Sequence, residues 1–267
     1  MRKFFLLLIP FCMFSLEKQP WFGNVYELQF LSSYTYSRYS SVDGAIVPLK
    51  DPSNDHLVYL GLEVPFSQKW NIDGDLQFSA TPRQDFGFRS FALQCRKLIL
   101  DDITGDPLSF TLGAYLRYTS DKSLKDISCP SRGKLDFEAK FALGKEFDYF
   151  EDWFFRIWLN GGLGIANKGS IWIDGTLGLE SHLCKRHILS FFLLANHGYG
   201  KKDYIDINNF KGYGEIRNRS IDIAFRYGYQ IGVWGMIRFE YARKVLSKLG
   251  PEDVDYYTLS YLLPFSF

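Results

Sequence analysis

The stretch Trp70-Asn71-Ile72-Asp73-Gly74-Asp75-Leu76-Gln77-Phe78-Ser79-Ala80-Thr81 divides into two interleaved sets. Trp70, Ile72, Leu76, Phe78 and Ala80 are apolar, their alternates are polar, and only Gly74 interrupts the apolar side. Successive side chains of a strand point to opposite faces, so a period of two predicts a strand with one apolar and one polar face. A tilted strand crosses a bilayer in about 9–11 residues, and this segment is long enough.

The pattern recurs. From Lys134 to Gly144, Leu135, Phe137, Ala139, Phe141 and Leu143 alternate with Lys134, Asp136, Glu138, Lys140 and Ala142. Trp153 to Ile165 sets Phe155, Ile157, Leu159 and Leu163 opposite Arg156, Trp158 and Asn160, and Ile171 to Leu179 alternates against Trp172, Asp174, Thr176 and Glu180. Strands are also expected at Val25 to Tyr36, His56 to Val64, Phe88 to Leu100, Leu108 to Thr119, His187 to Asn196, Ile216 to Ile231, Met236 to Val245 and Asp255 to Phe267. That makes about twelve, with ten or fourteen compatible because boundaries shift by a few residues.

The connectors alternate in length. Short ones fall near Phe66 to Lys69, Asp101 to Asp106, Asp148 to Asp152, Cys184 to Arg186 and Gly232 to Gly235; longer ones fall near Ser37 to Asp55, Ser120 to Gly133 and His197 to Glu215. Bacterial membrane barrels place short turns in the periplasm and longer loops outside. Three connectors on the expected outer side, Pro82 to Asp85, Ala166 to Ser170 and Leu246 to Val254, are shorter.

Composition fits this reading. Aromatics are 18% of the 267 residues, with 17 Tyr and 25 Phe, which suits strands and membrane interfaces. A net charge of +1 supplies no basic field for nucleic acid, so that partner class is excluded. Mean hydropathy is −0.13, a value that a barrel reaches because polar inward residues dilute apolar outward ones. Beyond residue 20 no run approaches the roughly 20 apolar residues of a membrane helix. Arg2 and Lys3, the apolar run from Phe4 to Phe14, and polar Ser15, Glu17 and Lys18 read as an export signal over residues 1–20, cleaved near 15–20. Residues 21–267 then form one barrel domain. Phe11 before Cys12 departs from the small residue that precedes a lipoprotein's acylated cysteine.

At the chain end Tyr257, Leu259, Tyr261, Leu263, Phe265 and Phe267 occupy every second position, and the alternates Thr258, Ser260, Leu262, Pro264 and Ser266 are uncharged. This resembles the assembly signal of bacterial outer-membrane β-barrels. With the pattern over residues 24–267, the resemblance implies an all-β, transmembrane, antiparallel up-and-down barrel in the outer membrane. It also implies contact with outer-membrane lipids and insertion by the barrel-assembly machinery. Trp21, Trp70, Trp153, Tyr36, Tyr118 and Tyr199 are expected near the interfaces, and Leu76, Phe137, Leu159, Leu177 and Phe239 against lipid.

Parity assigns Glu27, Glu63, Asp73, Asp75, Asp136, Glu138, Asp174, Glu180, Asp222 and Glu240, with Arg89, Arg117, Lys140, Arg156, Arg226 and Arg238, to the lumen. One reading is a narrow porin-like pore for small hydrophilic solutes. Another is a lumen crosslinked by carboxylate–guanidinium pairs, a structural or adhesive barrel. A third is a lipid-modifying hydrolase of the phospholipase or lipid A deacylase type, with His197 as its catalytic candidate. No Ser closely follows His197, so Ser220 or Ser170 must supply the nucleophile. No cofactor or metal site is expected: Asp203, Asp206 and Asn208 lack EF-hand spacing, and Gly161, Gly162 and Gly164 read as close packing beside Trp158 or Trp172 rather than a phosphate loop. Cys129 and Cys184 are placed at opposite membrane faces, beyond disulfide reach. The connector from His197 to Glu215, with Gly198, Gly200, Gly212, Gly214, Tyr199, Tyr204, Phe210 and Tyr213, is the candidate constriction or ligand-contact loop folding inward, the alternative being a mobile external loop.

Overall fold

The computed structural model describes residues 19–25, 27–149, 152–184 and 186–266. Most of the export segment, residues 1–18, and the terminal Phe267 lie outside this range. The strands are β1 (Glu27–Tyr39), β2 (Ser41–Val42), β3 (Ser53–Ser67), β4 (Trp70–Thr81), β5 (Gln84–Leu100), β6 (Ser109–Thr119) and β7 (Leu135–Tyr149), followed by β8 (Asp152–Ala166), β9 (Trp172–Leu183), β10 (His187–Gly198), β11 (Arg219–Gln230), β12 (Met236–Lys248), β13 (Pro251–Glu252) and β14 (Asp255–Ser266). All but β2 and β13 close into one twelve-stranded barrel in which every neighbour is antiparallel and the last strand returns to the first. Inside that seam the Thr35 and Thr258 hydroxyls meet at 2.6 Å.

Closure follows from the alternation. Every backbone N–H and C=O in a bilayer must be satisfied within the protein, and only a closed sheet leaves no edge. Leu76, Phe137, Leu159, Leu177 and Phe239 are exposed on the outside, and Phe137 and Phe239 are about half accessible, at 48% and 49%. In a soluble protein such a surface would drive aggregation; in hydrocarbon it is solvated. Aromatic clusters edge the apolar band. Trp153 stacks on His182 with ring centroids 4.8 Å apart, and at the other end Tyr36 packs on His56 at 5.6 Å and Phe88 on Tyr118 at 6.5 Å. An apolar girdle flanked by aromatics, on a closed barrel, places this chain in the bacterial outer membrane.

Two strand boundaries differ instructively from the sequence reading. β7 continues past Gly144 to Tyr149, because its polar face still finds partners: Glu146 pairs with Arg156. β11 begins at Arg219 rather than Ile216. Ile216 instead joins a buried cluster of Tyr39, Ile127, Ile205, Phe210, Tyr213, Leu249 and Val254 above the barrel.

That cluster is a second core built from loops. Pro251 and Glu252 pair with Val42 and Ser41, Ile205 exchanges backbone hydrogen bonds with Gly44 and Ile46, and the Tyr213 hydroxyl donates to the Ile127 carbonyl at 2.7 Å. Four connectors therefore cap the end that carries the long loops.

Candidate functional site: the barrel interior

At the end with short turns, the chain before β1 folds back inside. Trp21, expected at a membrane interface, instead packs edge-on against Trp158 at 6.2 Å and lies 5.0 Å beneath the Arg156 guanidinium. Its indole N–H has a buried-site acceptor, the Asp102 carboxylate, which outweighs the interfacial preference of an isolated Trp. Arg96 donates to the Gln19 carbonyl at 2.8 Å and covers the Phe22 ring at 5.0 Å. Gly144 makes room, since a Cβ there would fall within 2.7 Å of both Pro20 and the Trp21 indole.

Above this strap the lumen is crosslinked. Arg96 bridges Asp73 at 2.9 Å and Glu63 at 3.0 Å, and Asn71 donates to Glu63. Arg226 holds Glu240 at 2.7 Å. Lys140 pairs with Glu138 and with Asp174, and Arg117 donates to the Tyr115 hydroxyl at 2.8 Å. These bonds satisfy charges that burial would otherwise make costly.

The remaining sequence candidates also lie on the inward parity. Asp75 accepts from Gln77 at 3.1 Å and Asp136 from the Gly133 and Arg132 amides. Glu180 accepts from Ser190 at 2.8 Å, Arg238 contacts the Met236 sulfur at 3.1 Å, and Asp222 sits opposite Lys244. Glu27 lies at the rim of the turn end, where Asn24 donates to it at 2.6 Å. Arg89 reaches the Ser128 carbonyl at 3.3 Å.

Arg96 was missed for a local reason. Arg89 and Arg96 have opposite parity, so a strict period of two cannot place both inside. Ser90 opposes Gln77 while Phe88 opposes Phe78, leaving Arg89 as the extra residue of a bulge that resets the alternation. Lys244 continues the inward set of Arg238 and Glu240 and was legible in principle. Arg83, Asp126 and Arg132 sit in connectors and carry no periodic signal.

Those connector residues close over the mouth of the lumen. The connector between β6 and β7 has Asp126, Ile127, Cys129, Ser131 and Arg132 buried, and it lines the chamber together with Tyr213 of the connector from His197 to Glu215. Arg83 fixes it, donating to Asp126 at 2.9 Å, Ser128 at 2.6 Å, Tyr39 at 2.8 Å and Ser53 at 3.0 Å. In the longer connector Phe210 and Tyr213 pack on each other at 4.9 Å within the loop core, and Tyr213 also lines the chamber beneath it. Arg132 donates to Asn196 and Asn218 and lies 5.5 Å over Trp172. Burial lowers its pKa to about 10.

Beneath the cap lies a chamber of about 360 Å³ whose wall includes Thr35, Asp55, Arg89, Arg132, Asn196, Asp222, Lys244 and Tyr256. A side cavity of about 130 Å³ shares Arg132, Asp174 and Asn196. Farther in, the void beside Arg96, Lys140 and Asn160 shrinks to about 10 Å³, room for a single water. Of these three voids the largest lies beneath the cap.

The pairing of His197 with Ser220 does not assemble. His197 is on the outward parity of β10, edge-on to Tyr199 at 4.4 Å, while Ser220, the Cα partner of Asn196, points inward. Asp206 accepts from the Asn208 amide at 3.1 Å and Asp203 lies 3.7 Å from Arg217, a solvated-loop arrangement. Gly164 and Gly178 give space to the indoles of Trp172 and Trp158. Cys95, Cys129 and Cys184 are free thiols.

No family model matches the chain, and no curated protein does. Solved structures do. The COG4313 outer membrane channel from Pseudomonas putida F1 superposes with a TM-score of 0.65 at 12% identity, over 91% of this chain and 96% of that one. The NanC porin gives 0.57 at 9% identity, over 89% and 99%, and the KdgM porin 0.55 at 9%, over 88% and 99%. The chain therefore has the closed twelve-stranded fold of outer-membrane channel and porin barrels.

Proposed function

We propose that this protein is a narrow porin-like channel that passes small hydrophilic solutes across the outer membrane. The observation that carries this reading is the solvent-sized chamber within a polar interior, enclosed by a barrel whose outside is apolar. Function has to be argued from a site, and among the described residues this is the extensive polar constellation. The inward-dipping connector and the strap at the other end act as constrictions, so conductance is small. Lipids solvate the girdle, and the barrel-assembly machinery reads the terminal alternation from Tyr257 to Phe267. The N-terminal segment serves export and is cleaved near residues 15–20.

Single-channel recording in planar bilayers tests the reading. Discrete, low-conductance openings are expected; a correctly inserted, heat-modifiable barrel that never conducts would instead be a structural or adhesive element.

A further inference from the structure

Charge is unevenly spread around the long-loop end. Segment 199–219, with Lys168 and Lys248, carries seven Lys and Arg against three Asp and Glu, whereas segments 40–52 and 249–255 carry one lysine against five acids. Folding gathers the first set over β9 to β12. The Ser170 amide donates to the Gly214 carbonyl at 2.7 Å, which brings Lys168 beside Glu215, and the Arg217 amide donates to the Lys202 carbonyl at 3.0 Å. Lys202 pairs with Glu215 at 2.5 Å and Arg217 with Asp203 at 3.7 Å, each of these side chains about half exposed or more. The Lys202 hydrogen bond, with the charges of Lys202, Lys211 and Lys168, holds the Glu215 carboxyl below the usual carboxylate range. Three lysines thus share one acid.

Below these loops His197, Arg219 and Lys248 form a row across β10, β11 and β12, each the direct cross-strand partner of the next. Arg219 and Lys248 are exposed, and among the described residues neither lies within ion-pair distance of an acid. Like charges directly opposite each other destabilise a sheet, so this juxtaposition calls for an anion. On one side the two cations edge the mouth of the chamber. On the other, the next residues of the same face are Ala195, Ile221 and Leu246, and Ile173 lies beside His197. Leu246, Ile171 and Ile173 are exposed and begin the apolar girdle. A cationic rim is therefore continuous with the lipid-facing surface.

We propose that this patch binds an outer-leaflet lipid whose headgroup carries more than one phosphate. Arg217, Arg219 and Lys248 hold the phosphates, for which the arginine fork is matched in geometry, and the acyl chains lie on Ile171, Ile173 and Leu246. A neutral lipid leaves the cations unanswered, and a soluble polyanion makes no use of the apolar surface beneath them. The inference rests on the placement of the barrel in the membrane and not on conduction through it.

Native mass spectrometry of the full barrel released from a non-ionic detergent tests it. The probes are diphosphorylated lipid A, the same lipid without its phosphates, phosphatidylcholine, inorganic phosphate and heparin. A one-to-one adduct with diphosphorylated lipid A is expected, with every other probe weaker by about tenfold or more. Arg219→Gln/Lys248→Gln should lose that preference, and Arg219→Lys/Lys248→Arg, which keeps both charges, should retain most of it. Arg38→Gln/Lys50→Gln removes the same charge from the same end outside the patch and should bind as the parent does, with heat-modifiable migration reporting the folding of each variant. The proposal is overturned if the dephosphorylated lipid matches the phosphorylated one, which the parent alone decides. It is also overturned if heparin or inorganic phosphate binds as tightly, if the folded Arg219/Lys248 charge-loss variant binds as the parent does, or if the Arg38/Lys50 variant loses as much.

Discussion

The Trp21 indole donates its Nε1 proton to the Asp102 carboxylate across 2.8 Å, joining residues 81 positions apart. The same carboxylate accepts from the Ser109 hydroxyl and from the Glu146 amide at 2.7 Å, with Lys145 at 3.5 Å. One acidic side chain in a connecting turn thus anchors the strap to the floor of the barrel. Burial on its own raises the pKa of Asp102, but the Glu146, Ser109 and Trp21 hydrogen bonds and the Lys145 charge outweigh it and hold the carboxyl below the usual range.

That depression fixes the pH response of the strap. A carboxyl whose folded pKa lies below its unfolded value of about 3.9 stabilises fully above that value, and the contribution is lost as pH falls through the folded pKa. Acidification below about pH 4 should loosen the strap. The fluorescence difference between parent and Trp21→Phe should change in that window and be flat in Asp102→Asn. A transition near neutral pH would contradict the assignment.

If the strap narrows the lumen, deletion of residues 19–24 should raise single-channel conductance while heat-modifiable migration stays unchanged. Equal conductance from the inserted deletion would show that the strap does not limit flow.

Gln19 and Pro20 lie inside the barrel, held by Arg96 and the space at Gly144. Signal removal should therefore stop short of Gln19. The intact mass of the membrane-extracted protein is the check, and a mature chain beginning after Pro20 would refute the expectation.

The β6–β7 connector depends on Arg83. Replacing Arg83 by Ala removes the cation paired with the largely buried Asp126 carboxylate, which keeps hydrogen bonds from the Thr81 hydroxyl and the Ser128 amide, and breaking a buried pair outright costs about 3–5 kcal/mol. Partial exposure of Arg83 and the donors that Asp126 retains place the effect at or below the low end of that range. Limited proteolysis should then cut within residues 120–134 of the variant and spare the parent; Arg83→Lys should protect only partly, since it cannot reach Asp126, Ser128, Tyr39 and Ser53 together.

Gly178 faces the buried Trp158 indole, and a Cβ would overlap it. Gly178→Ala should destabilise the barrel by about 1–3 kcal/mol through overpacking, read as a lowered urea midpoint in lipid vesicles. Gly74→Ala, whose nearest neighbour is Leu93 Cδ2 at 3.4 Å, should lie within about 1 kcal/mol of the parent.

The period of two in segments such as Trp70 to Thr81 and Lys134 to Gly144 was enough to determine the strands, the closed barrel and, away from the bulge at Arg89, the outward and inward faces. Local alternation is a property of the chain itself, and a two-faced strand with an apolar outside has one arrangement that leaves no open edge in lipid. What tertiary structure alone decided is how the interior is filled. Trp21 lies inside because Asp102, far away in sequence, accepts its N–H. Arg89 and Arg96 share the lumen because a bulge resets their parity, and the connector carrying Asp126 enters because Arg83 reaches it across the mouth. Connector residues have no period, and a long-range hydrogen bond leaves no mark on the sequence around either partner.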